Sequence, residues 1–123
     1  MPYTAYRLIH FLGIFTLLIA LASTAMHVLR GGARSDNPYR RVTGIAHGGA
    51  AFLILLGGFG MLARLGVAHG GLPTWVYLKL IIWAILAAAL LLVYRSVRLA
   101  GAALIAMPIL ALLAAAVALY KPF

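Results

Sequence analysis

The chain has no cysteine and a single acidic side chain, Asp36. The first absence removes disulfides, zinc-thiolate sites, iron–sulfur clusters and thiol nucleophiles. The second removes paired-carboxylate acid–base chemistry and the carboxylate cages that hold calcium or magnesium. Charge of either sign is scarce, at 9% of 123 residues, against about 25% in a typical soluble domain. What remains is apolar: 66% of the residues are hydrophobic. A soluble chain this short cannot hide so much apolar surface, because small domains bury only about two-thirds of what they expose when unfolded. Lipid is the solvent that suits this composition, and the length sets a limit of one domain.

The formal charge of +9 would suggest nucleic acid if the basic residues formed a patch on a polar domain. Here they stand singly or in pairs between apolar runs, as they do at headgroups and in membrane loops. Membrane lipids and other membrane subunits are therefore the expected partners, with no nucleic acid.

Four apolar runs are long enough to cross a bilayer: about residues 8–29, 42–65, 74–94 and 99–120. The first covers roughly 33 Å at about 1.5 Å per residue. The expected fold is an all-α membrane protein, with four transmembrane helices in an up-down antiparallel bundle. Ser23-Thr24-Ala25 has the small residues of a signal-peptide cleavage site, but the segment is read as a retained span. Gly31-Gly32 ends span one, Asp36-Asn37-Pro38 reads as a turn, and Pro73 suits the start of span three. Pro108 predicts a kink in span four.

Orientation follows from arginine and lysine. Loops one and three hold Arg30, Arg34, Arg40, Arg41, Arg95 and Arg98, six of the ten basic residues; Arg7, Arg64, Lys79 and Lys121 lie toward the other side. The positive-inside rule then puts loops one and three in the cytoplasm and both termini outside it. The expected setting is a bacterial inner membrane.

Helices in lipid associate through close packing and occasional hydrogen bonds. Span two carries six glycines and is expected to be the helix around which its neighbours pack. Within it, Gly44 and Gly48 have small-xxx-small spacing, with Ala51 on the same side. Thr16, Ser23 and Thr24 have no activating base beside them and read as interhelical or backbone hydrogen-bonders.

Four histidines are the conventional ligands and proton carriers of this chain. His27, late in span one, and His47, one turn into span two, can face each other from adjacent helices. His10, at the other end of span one, shares a level with His69 and with Lys79 in span three. Read as function, His27 and His47 are axial ligands of a b-type haem. On a wheel of about 3.6 residues per turn, His47, Ala51, Ile54 and Gly58 share one side, and Gly58 leaves a slot for the macrocycle. Arg30, Arg40 and Arg41 would meet its propionates. A quinone or proton site, with His10 and Lys79 as the other candidate pair, is the alternative, and Lys79 read as function anchors an anionic ligand group near His10. Read as structure, each histidine bonds to water, headgroups or a neighbouring carbonyl, and Lys79 snorkels to the surface. Phe11, Phe15, Phe52, Phe59 and Trp83 read as packing or lipid contacts.

His10, His47, and Trp75 followed by Lys79-Leu80 give the chain a family resemblance. It resembles the small four-span bacterial inner-membrane proteins known as invasion-gene up-regulators, over most of its length. That resemblance implies the four-span fold and no defined chemistry. Membrane protoporphyrinogen oxidases also place a histidine in span one and a lysine in span three. Their Pro-Arg-Leu stretch after span one is missing here, so their activity is not carried over. The sequence thus leads to a non-catalytic accessory subunit of a larger respiratory or photosynthetic membrane complex. The alternative is an electron-transfer protein binding haem b or quinone through His27, His47, His10, Lys79 and Gly58.

Overall fold

The computed structural model describes residues 2–66 and 71–120; His69 and Lys121 lie outside the described residues. Four helices follow one another: α1 (Tyr3–Leu29), α2 (Arg40–Leu65), α3 (Thr74–Val93) and α4 (Val97–Tyr120). Each is long and apolar enough to span a membrane, since about 20 residues of helix cross a hydrocarbon core. The fold is the expected all-α four-helix bundle, and the protein is a multi-pass membrane protein. α4 runs through Pro108 as a single helix.

Glycine and serine mark the helix ends, and of these Gly31 is read from the sequence. Gly31 takes φ +91° just after α1, and Gly66 takes φ +72° as the left-handed cap of α2. Left-handed backbone is strained for any residue with a Cβ, so glycine stops a helix there without steric cost. Ser96 starts α4 by accepting the Leu99 N–H at 3.0 Å on its Oγ. Ser23 and Thr24 both donate to the Ala20 carbonyl at 3.0 Å, which satisfies their hydroxyls inside lipid.

The helix at the centre is α1 and not α2. In its membrane-crossing window 39% of residues are buried, against 28% for α2 and α3 and 17% for α4. α1 packs against all three other helices, and most extensively against α2. Its buried residues His10, Gly13, Leu17, Ala20, Thr24 and Val28 recur at intervals of three and four. That spacing keeps one seam facing its neighbours, as in a coiled coil.

The glycines that bring α1 and α2 together are also not the expected ones. A Cβ on Gly13 would lie 2.8 Å from the Ala50 carbonyl oxygen, and one on Gly57 would lie 2.7 Å from both the His10 nitrogen and the Tyr6 carbonyl oxygen. A Cβ on Gly60 would collide with the Tyr6 ring. At Gly44, Gly48 and Gly49 an added Cβ would meet nothing within 4 Å. Gly44 and Gly48 therefore meet no neighbour, while Ala51, read on the same side, is buried in the core. Spacing alone cannot find the packed side, because lipid and protein are equally apolar neighbours.

Candidate functional site

At the end of the bundle where α1 begins and α2 finishes, Gly57 and Gly58 occupy the positions three and four residues after Ile54. Side chains at those positions flank the carbonyl of residue i in a helix. Here there are none, and the backbone of α1 comes close enough for His10 Nδ1 to reach the Ile54 carbonyl at 2.8 Å. A carbonyl only accepts, so Nδ1 carries the proton and Nε2 is the ring nitrogen left over. Three residues earlier on α2, the Ala51 carbonyl accepts from Trp83 Nε1 at 2.9 Å. α2 is thus hydrogen-bonded to α1 and α3 through consecutive turns of its own backbone. The sequence reading had Trp83 as packing or lipid contact and missed this bond. An indole N–H in a span must donate somewhere, and that was the available signal.

Beside these bonds lies a cavity of about 420 Å³ lined by all four helices. His10, Gly58, Trp75, Lys79 and Trp83 all contribute to its wall, with Tyr3 and Arg7 toward the helix ends. Its deeper wall is apolar, formed by Leu17, Ile82, Leu86, Ala111 and Ala114 among others. Lys79 and Leu86 stand about 10 Å apart along α3, at about 1.5 Å per residue. The cavity therefore grades from basic near the membrane surface to hydrocarbon near the middle. Exposed Phe11, Phe59, Leu65 and Leu119 belong to the wall, so it opens through the side of the bundle.

The electrostatics of the cavity are one-sided. Lys79 is half-buried, lies within electrostatic reach of His10, and has no hydrogen-bond or ion-pair partner among the described residues. Arg7 lies 5.5 Å above the Phe11 ring, a cation–π contact that leaves its N–H fork free for an acceptor. The chain's single acidic side chain is at the other end of the molecule.

That acid, Asp36, belongs to a closed polar clasp. After α1, a short 3-10 turn (Arg34–Asp36) folds back so that Asp36 Oδ1 accepts from His27 Nε2 and from the Ala33 N–H, both at 2.8 Å. His27 Nε2 also lies 3.0 Å from the Ala33 carbonyl. The Ala33 N–H, and then the His27 ring, hold the Asp36 carboxyl below its usual value of 3.8, because both stabilise the charged form. Next to it, Asn37 is buried; its Nδ2 donates to the Tyr94 hydroxyl at 3.0 Å and its Oδ1 accepts the Tyr39 N–H at 3.0 Å. The turn was legible in Asp36-Asn37-Pro38; its bonds to His27 and Tyr94 were not.

The five residues singled out from the sequence therefore divide. His10, Gly58 and Lys79 meet in one cavity. A Cβ on Gly58 would touch the His10 ring at 3.6 Å, so its open space adjoins His10 and not His47. His27 and His47 are not in that cavity. His27 is committed to the clasp. His47 is 3% exposed, has the Leu86 backbone as its polar neighbour, and has no hydrogen-bond partner for Nε2 among the described residues. Among the described residues no three histidine or acidic side chains gather in a metal-holding group. Compared with protein-family models, curated proteins and solved structures, the chain matches none.

Proposed function

We propose that this is a non-catalytic membrane protein whose cavity holds a hydrophobic molecule with one polar end, and that it serves as an accessory subunit of a larger bacterial membrane complex, respiratory or photosynthetic. The observation that carries this reading is the cavity itself. Its volume falls within the range of about 300–1,000 Å³ usual for ligand sites, and its few polar groups gather at one end. Among the described residues no nucleophile has a base beside it, and the sequence holds no acid pair. His10, Trp75, Lys79 and Leu80, which carry most of the resemblance to the invasion-gene up-regulators, all line this cavity. In this reading the protein sits in the inner membrane with loops one and three in the cytoplasm, as the arginine distribution favours.

The test is native mass spectrometry of protein extracted in mild detergent, beside an Ala114→Phe variant that fills the cavity. The expected result is a hydrophobic adduct of defined mass on the wild type, absent from the variant. A wild type that holds no such molecule, natural or added, sinks the reading.

A second reading, electron transfer by haem b or quinone, is favoured by one observation. The His10 Nδ1–H is tied to a backbone carbonyl, as it commonly is in metal-bound imidazoles. Oxidised and dithionite-reduced absorption spectra decide it, with His10→Ala and His47→Ala as controls. A sharp reduced α-band lost in one variant would replace the first reading and locate the ligand.

A further inference from the structure

We infer that the occupant of the cavity is an anionic phospholipid, with one acyl chain along the apolar wall and its phosphate at the end lined by Arg7 and Lys79; this rests on the ligand-holding reading above. Three observations converge on it. The first is charge. Two cationic side chains line the basic end of the cavity, and the chain's only carboxylate side chain is held by His27 and Ala33 at the opposite end. A cation inside a membrane span is costly unless something compensates it, and within the described residues nothing does so for Lys79. An anion supplied by the ligand fills that role. A neutral quinone or a zwitterionic lipid supplies no net charge.

The second observation is position. Lys79 is five residues into α3 and Arg7 four residues into α1, roughly 6–8 Å from the helix starts at about 1.5 Å per residue. That is the depth at which headgroup phosphates meet basic side chains. The third is shape. The apolar wall continues from that level past Trp83 to Leu86 and Leu17, the length direction of an acyl chain. The side opening at Phe11 and Leu119 leaves the second chain in the surrounding bilayer. His10 and Trp75 line the same region, beside the place where the headgroup glycerol would lie.

The experiment is a competition in detergent, read by native mass spectrometry, with phosphatidylglycerol, phosphatidylcholine, oleate and a short-tailed ubiquinone as probes. Wild type should hold phosphatidylglycerol about tenfold better than phosphatidylcholine, a difference of about 1.4 kcal/mol. Lys79→Gln should remove most of that preference, Arg7→Gln part of it, and Lys79→Arg should keep it. Added salt should narrow the preference in wild type, which tests the charge term even where a variant fails to fold. Equal retention of phosphatidylcholine or ubiquinone, unaffected by Lys79→Gln, would overturn the phospholipid assignment while the ligand-holding reading stands. Preference for oleate over phosphatidylglycerol would overturn it too, in favour of a free fatty acid. Retention of none of the probes, with Ala114→Phe indistinguishable from wild type, would overturn both.

Discussion

The two ends of this bundle use the same kinds of helix for opposite purposes. At the loop-one end, Leu21, Ala25, Val28, Ala89, Val93, Ala100 and Ala103 pack into a closed cluster. The polar groups beside it bond to one another: His27 with Asp36, Asn37 with Tyr94. At the other end the helices enclose space, and the cation facing it, Lys79, is left without a partner among the described residues. Composition does not separate the two, since both ends are apolar spans with a histidine and an arginine nearby. The difference lies in the charged groups: Asp36 is held by His27 and the Ala33 N–H, whereas Lys79 has no partner among the described residues. Hydrogen bonding of the neutral groups does not divide the ends, since His10 and Trp83 are bonded and the buried His47 Nε2 is not.

The comparison breaks most visibly at the glycines. Gly57→Leu drives a side chain into the backbone of α1, which has no flexible atoms to yield, and should destabilise by ~3 kcal/mol or prevent folding. Gly48→Leu, on the same helix but facing open space, should change stability by no more than ~0.5 kcal/mol. Thermal unfolding in detergent measures both, and equal effects would mean that α1 and α2 do not meet where described.

One phenylalanine placed at each end sharpens the contrast. Ala25 is fully buried at the closed end, so Ala25→Phe should cost about 1–3 kcal/mol through overpacking. Ala114 borders the cavity, so Ala114→Phe should leave the melting temperature near that of wild type. A smaller effect is expected from Tyr94→Phe, which takes the acceptor from the buried Asn37 Nδ2 and should cost about 1 kcal/mol. Asn37→Ala also removes the bond from the Tyr39 N–H, so it is the larger single change, and the double variant should cost little more than it because the Asn37–Tyr94 bond is already lost.

The smallest effect isolates the clasp. The Asp36 carboxyl is held below 3.8 in the folded chain, so its contribution is present above that pH. It is lost as pH falls through the lower folded value, where protonation breaks the bonds to Ala33 and His27. Asp36→Asn should abolish this acid dependence in a melting-temperature series taken below pH 5. With no other acidic side chain in the sequence, few other groups confuse the reading.

Much of the fold was legible in the sequence and little of the packing was. The end of α1 and the start of α3 followed from Gly31 and Pro73, because backbone sterics act locally, whereas α1 begins at Tyr3, ahead of the apolar run read from about residue 8. The central helix did not follow. The Gly44/Gly48 spacing pointed to α2, yet those two glycines meet nothing, and a span surrounded by lipid shows no polar face to mark its outside. His10 and Lys79 were legible as neighbours because helix rise fixes their depth. That His10 bonds Ile54, or that His27 serves Asp36 instead of facing His47, depends on helix rotation, which depth does not set.

The side opening of the cavity has a consequence for how occupancy is counted. A molecule reaching Leu17 and Leu86 through Phe11 and Leu119 comes from the bilayer and never crosses water. Its relevant concentration is a mole fraction among lipids, fixed by membrane composition and independent of how dilute the protein is in the cell. Saturation would then track changes in that composition directly, and dilution into added neutral lipid, at constant total volume, would empty the cavity where dilution with buffer would not.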